Sequence, residues 1–182
     1  GAQMAALIPA YVGPLSEGEV AVQHVRAYGS PVADLVGPIP YRALQSMFDD
    51  AFPPGRRNYW KSGSLRGLDD GAIELMVDRF AQAPSPHAMV FIEQWGGAAS
   101  RVSPGETAYS HRTAPYNLLI LAAWNDPAQD DVHMRWAREL WMALQPFVAG
   151  GVYVKYLSDQ ELEGEERVRS AYGPHYDKLV AL

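Results

Sequence analysis

Ala88-Met89-Val90-Phe91-Ile92-Glu93-Gln94-Trp95 and Tyr116-Asn117-Leu118-Leu119-Ile120-Leu121-Ala122-Ala123-Trp124 decide the fold of this chain. Each is a short, largely apolar run rich in β-branched and aromatic residues, as strands are. Gly96-Gly97 closes the first run, and Asn125-Asp126-Pro127 follows the second. Arg57 to Ser62 and Val152 to Leu157 read as further strands, Thr107 to Arg112 as a short one, and Ala6 to Val12 as an edge strand because of Pro9.

Helical spacing fills the gaps. Ser16 stands three residues before Glu19, a capping box that predicts a helix running towards Gly29. Leu44, Met47, Phe48 and Ala51 predict another over Tyr41 to Phe52, stopped by Pro53-Pro54-Gly55. Asp69 opens a helix through Gln82 with Ile73, Met76, Val77 and Phe80 on one stripe. Asp130 to Phe147 reads as a long helix with Trp136, Leu140 and Leu144 inward, and Glu161 to Ala171 and Tyr176 to Leu182 look helical. Several strands follow one another without an intervening helix, which favours antiparallel pairing. The expected fold is α+β: a single antiparallel β-sheet with helices packed on one face and the other face open to a ligand or another domain.

Composition narrows the function. The chain has 182 residues, 48% of them hydrophobic, enough for a sizeable core. A net charge of -6 without a basic block argues against nucleic acid, and no apolar run is long enough to span a bilayer. Gly1-Ala2-Gln3-Met4 opens no signal peptide, and the absence of cysteine removes disulfides and thiolate metal sites and fits a cytoplasmic location. The five histidines, His24, His87, His111, His133 and His175, show no metal-ligand spacing, so no metal is expected. Ser64 lacks the flanking glycines of a nucleophile elbow. Gly96-Gly97-Ala98 follows a strand but is expected to lead into Ser100-Arg101-Val102 without a helix, so it is read as a tight turn and not a dinucleotide fingerprint.

Two places carry chemistry. Glu93 interrupts an apolar strand, and alternation puts it on the face of Phe91 and Trp95, with Gln94 on the face of Val90 and Ile92. It is a candidate general base, or else a salt-bridged edge residue. Tyr153-Val154-Lys155-Tyr156 is a polar, aromatic patch; as a strand it would set Tyr153 and Lys155 on one face and Tyr156 on the other. Each tyrosine suits a hydrogen bond, a stacking surface or acid–base work, or an amphipathic place in the core.

The motifs in order add a resemblance. Pro40-Tyr41 with Leu44-Gln45 and Phe48-Asp49, Asn58-Tyr59-Trp60-Lys61-Ser62, Gly96-Gly97-Ala98, Thr107-Ala108-Tyr109 with His111-Arg112, Trp124 with Asp126-Pro127, Gly150-Gly151-Val152-Tyr153-Val154-Lys155-Tyr156, and Ala171-Tyr172-Gly173 with Tyr176 and Leu179 follow one another in this order. From Pro40 onward the chain resembles the substrate domain of the bacterial branch of the berberine bridge enzyme family. The resemblance implies that residues 1–182 are a substrate-binding domain of an FAD-linked oxidoreductase that takes a hydride from an alcohol or amine carbon of a small molecule. It implies a flavin-binding domain of the same parent as partner. FAD would then be held in that full-length parent, with none bound by the chain alone, which is expected to be inactive by itself. The family's Tyr-x-Asn-Tyr strand maps onto Tyr153, Lys155 and Tyr156, where Lys155 replaces the asparagine and would bind an acidic substrate or pair with Glu93. Asn117 and Leu119 would form another substrate-facing wall, with Gln94 a further contact. Leu119 stands where some relatives carry a glutamine or glutamate, so the base is sought at Tyr156 or Glu93, or in the flavin domain. The alternative is a non-catalytic module that holds a small ligand or a protein on its sheet face.

Overall fold

The computed structural model describes residues 3–157 and 164–182. The chain forms two compact units, Gly1–Pro54 and Gly55–Leu182. In the first, helix α1 spans Leu15–Arg26 and a short helix α2 spans Tyr41–Gln45. The expected edge strand at Ala6 to Val12 does not form; Pro9 removes a donor and no segment pairs with it among the described residues. The capping box is absent too: α1 starts at Leu15 behind Pro14, and no side chain caps it. The long helix expected over Tyr41 to Phe52 breaks after Gln45 and resumes as a 3₁₀ turn at Asp49–Ala51. An ion pair ties Arg26 Nε to Asp34 Oδ2 at 2.7 Å.

The second unit holds the sheet. Strand β1 runs over Arg57–Leu65 and helix α3 over Asp70–Phe80. Strand β2 covers Met89–Gln94, and a four-residue helix α4 covers Ala98–Arg101. Strand β3 spans Tyr116–Trp124, helix α5 Asp130–Leu144, and the short strand β4 Val148–Gly150. Helices α6, Gly164–Tyr172, and α7, Tyr176–Val180, complete it. The expected helix start at Glu161 to Glu163 lies outside the described residues. The sheet order is β2-β3-β1-β4, every pair antiparallel, so the fold is α+β as the strand succession implies.

Alternation divides the strands cleanly. Tyr59, Leu65, Leu118, Ile120, Ala122 and Trp124 face one way and form the core with Ala72 and Met76 of α3 and Trp136, Ala137, Leu140 and Leu144 of α5. Ile73 and Val77, placed inward by the sequence stripe, are exposed; Ala72 and Met76 are the buried residues of α3. Gly63 lies on this face because a Cβ there would stand 2.6 Å from the Trp141 ring. The indole of Trp136 donates to the Arg79 carbonyl at the end of α3, 3.0 Å away, and fixes the two helices together.

Two expected strands are absent here. Val152 to Leu157 is not extended: Gly150 and Gly151 take φ of 86° and 77°, turning the chain after β4. A 3₁₀ turn over Val154–Tyr156 follows, closed by Tyr156 N–H to the Tyr153 carbonyl at 2.8 Å. Thr107 to Arg112 is loop, with the Arg112 guanidinium bound to the Ala99 carbonyl and the Thr107 hydroxyl. The helix α4 directly after Gly97 also departs from the expected turn-only reading.

Candidate active site

The face away from α3 and α5 carries Glu93, Asn117 and Ser64 in one row. The register pairs Glu93 with Asn117, Asn117 with Ser64, and Ser64 with Gly150. Cross-strand partners share a face, so all three side chains project to the same side. Leu119 lies on it two residues further along β3, opposite Phe91. This face is not bare: Asn117 is 0% exposed, and Ser62 and Ser64 are buried.

The turn after β4 crosses it. Trp60, on β1, donates its indole N–H to the Tyr156 carbonyl at 3.0 Å. From the same residue the Tyr156 hydroxyl reaches Glu93 Oε1 on β2, donating at 2.8 Å. Asn117 Nδ2 donates to the other carboxylate oxygen, Oε2, at 2.7 Å. A carboxylate only accepts, so the amide NH₂ must face Glu93, and the Asn117 Oδ1 is left buried without a partner among the described residues.

A wall of half-buried aromatic rings stands beside this triad. The Tyr153 and Tyr156 rings meet edge to face at 5.6 Å. Tyr153 also meets Trp95 at 5.3 Å and Tyr109 at 5.9 Å, and Trp95 meets Tyr109 at 5.7 Å. The Arg112 guanidinium lies over the Tyr109 ring at 4.9 Å. Such tilted geometries are the favourable ones for aromatic pairs and hold the wall rigid. Burial pushes the Tyr109 phenol up to about 12, with Tyr153 adding to it. Burial first, and the hydrogen bond to Glu93 second, hold the Tyr156 phenol above the ordinary tyrosine value.

The structure thus brings together Tyr156, Glu93, Tyr153, Asn117 and Leu119. It separates two others. Gln94 points to the opposite face, opposite Tyr116, and is exposed. Lys155 is exposed on the turn, and Glu93 takes Tyr156 and Asn117 rather than this lysine. Tyr153 and Tyr156, expected on opposite faces, lie together because residues three apart eclipse in a 3₁₀ turn. Trp95 and Tyr109 are wall residues that the sequence does not single out: the signal for Trp95 is the alternation that sets it on the face of Glu93, and for Tyr109 it is the Thr107-Ala108-Tyr109 string, which has the look of a strand but is loop.

Among the described residues no group of three His, Cys, Asp or Glu could hold a metal ion, and no helix is long and apolar enough to cross a membrane. The glycine pair Gly96-Gly97 after β2 leads into a helix of only four residues.

No family model matches the chain. It is 26% identical over 171 residues to the uncharacterised FAD-linked oxidoreductase YgaK of Bacillus subtilis, covering 93% of this chain and 37% of that protein. It is 25% identical over 119 residues to berberine bridge enzyme-like 22 of Arabidopsis thaliana, covering 64% of this chain and 21% of that one. The chain is homologous to one region of berberine bridge enzyme-like, FAD-linked oxidoreductases. Among solved structures of such proteins, CrmK, a flavoenzyme involved in shunt product recycling in caerulomycin biosynthesis, superposes with a TM-score of 0.70 at 24% identity, over 94% of this chain and 39% of that one. The chain therefore spans well under half the length of these relatives.

Proposed function

We propose that residues 1–182 form the substrate-binding domain of an FAD-linked oxidoreductase, working against a flavin-binding domain of the same parent and acting on the alcohol or amine carbon of a small molecule. The observation that carries this is the hydrogen-bonded chain Tyr156–Glu93–Asn117 beneath the aromatic wall. FAD held in the full-length parent would accept a hydride from the substrate carbon, and the residues of this chain would serve the substrate.

This chain's own task is the proton. The Tyr156 hydroxyl hydrogen is committed to Glu93, so its oxygen turns lone pairs outward to accept a substrate O–H or N–H. As the substrate loses its proton to Tyr156, Tyr156 passes its own to Glu93 Oε1. One proton leaves the substrate, Tyr156 is restored, and the carboxylate ends protonated. Glu93 acts through Tyr156, accepting from the Tyr156 hydroxyl at one oxygen and from Asn117 Nδ2 at the other. Asn117 keeps the carboxylate aimed at the phenol, and Leu119 and the Tyr153, Trp95 and Tyr109 rings exclude water and pack on the substrate.

The FAD-loaded full-length enzyme tests this. Tyr156→Phe keeps the ring's packing and should cost about 1 kcal/mol of stability. Turnover should fall on the order of a hundredfold or more. Unchanged turnover with a slightly lower melting temperature would mean that Tyr156 is only a core tyrosine and that the sheet face binds without catalysing.

A further inference from the structure

The row of the candidate site does not end at Asn117. It continues to Ser64 and then to Gly150, at the rim of a cavity of about 390 Å³. Ser64, Arg66, Thr113 and the backbone of Gly150 and Gly151 line it, together with His111. In a chain with a net charge of -6, this lining holds an arginine and no carboxylate.

Arg66 is held in place. Its backbone N–H donates to the Phe147 carbonyl at 3.2 Å, and Nη1 donates to the Pro146 carbonyl at 2.8 Å. A guanidinium carries five N–H donors, so Nε and Nη2 are left to point a fork at a ligand. An arginine anchored in this way gives up less side-chain freedom on binding than a free one. Another part of the lining is close-packed: Gly151 takes φ of 77°, and a Cβ there would stand 2.3 Å from the His111 ring. The shape of the cavity therefore depends on a glycine at this position.

We propose that this cavity is a subsite for the acidic end of the substrate, a carboxylate held by Arg66 with the Ser64 and Thr113 hydroxyls beside it. Strands lie about 4.8 Å apart, so two strand spacings separate Ser64 from Glu93, roughly 10 Å. The substrate class is an elongated molecule with an oxidisable carbon at the Tyr156–Glu93 end of the row and a carboxylate at its Ser64 end. The substrate assignment rests on the reading of Tyr156 and Glu93 as the reacting end; the anion subsite itself does not.

The test titrates the full-length FAD-loaded enzyme with gluconate, and with sorbitol as a neutral chain of the same length, by calorimetry. Gluconate should bind at least roughly tenfold more tightly than sorbitol, and Arg66→Gln should remove that preference. Arg66→Lys keeps the charge without the fork and should retain part of it. Because Arg66 is exposed, neither variant should disturb folding, which circular dichroism checks. Equal binding of gluconate and sorbitol, or a preference that survives Arg66→Gln, overturns the subsite. The same titration on Tyr156→Phe separates the two readings: both probes can lose the contact to the phenol, but the preference for gluconate over sorbitol should persist, and its loss there would overturn an anion subsite independent of Tyr156.

Discussion

The two faces of the one sheet use the same strands for different ends. Towards α3 and α5, β1 and β3 present Tyr59, Leu65, Leu118, Ile120, Ala122 and Trp124, packed on Trp136, Leu140 and Leu144. On the other side the same strands present Asn58, Ser62, Ser64, Asn117 and Leu119, with Glu93 from β2. The first face gains from burying apolar area. The second buries polar atoms at a cost, and Ser62 Oγ and Asn117 Oδ1 have no partner among the described residues. The helix face is therefore set against the face that carries the Tyr156–Glu93–Asn117 chain: the first is read as serving stability, the second as serving the proposed chemistry.

The largest effect that sharpens this contrast is on the helix face. Leu140 is 1% exposed in the centre of the core, and Leu140→Ala should destabilise the protein by about 2–5 kcal/mol in chemical denaturation. A loss below about 1 kcal/mol would mean that α5 does not carry the sheet.

A smaller effect of opposite sign is expected across the sheet. Ser62→Ala removes a buried hydroxyl with no partner and leaves the backbone pairing with Leu119 intact. It should leave stability unchanged or raise it by about 1 kcal/mol. A clear loss in the same denaturation assay would show that the hydroxyl is paired and that this face is built for stability after all.

The subtlest effect is in tyrosine ionisation. Burial raises Tyr109 and Tyr156 above their ordinary value, with Glu93 assisting at Tyr156. Both phenols should therefore stay protonated at pH ~10, where exposed tyrosines are half ionised. For a group whose folded-state pKa is raised, the stabilising contribution is complete below the unfolded value and is lost as pH rises through the folded one. An ultraviolet titration of wild type against Tyr156→Phe should show the missing phenol only well above pH ~10, and its appearance at ordinary pH would break the link to Glu93.

The helix face was legible because one physical rule governs it. Buried strands and an amphipathic helix carry their period in the sequence, so β2, β3, α5 and its inward Trp136, Leu140 and Leu144 follow from alternation and helical spacing. Glu93 and Asn117 were visible in the same way, as polar residues inside such runs. The other wall was not, because it is made by turns. Val152 to Leu157 has the composition of a strand, and only the paired glycines before it, at φ of 86° and 77°, bend it over the sheet. That bend puts Tyr153 and Tyr156 side by side and leaves Lys155 exposed, whereas Gln94 faces away simply because it alternates with Glu93 on β2. Tyr109 joins the wall from a loop, where no period betrays a direction, while the alternation of β2 carried on to Trp95 already sets that ring on the face of Glu93. In the first unit, Pro9 and Pro14 overrode the strand and capping signals that surrounding residues gave.

The central claim is that Tyr156 and Glu93 act as one proton-moving unit, and a double-mutant cycle addresses it directly. In the FAD-loaded full-length enzyme, Tyr156→Phe and Glu93→Gln are each made alone and then together, and turnover is measured under saturating substrate. Residues that act as a unit are grossly non-additive. The account predicts that the double variant is about as slow as the slower single one. If the two losses multiply, the phenol and the carboxylate work independently and the relay through the 2.8 Å hydrogen bond does not operate.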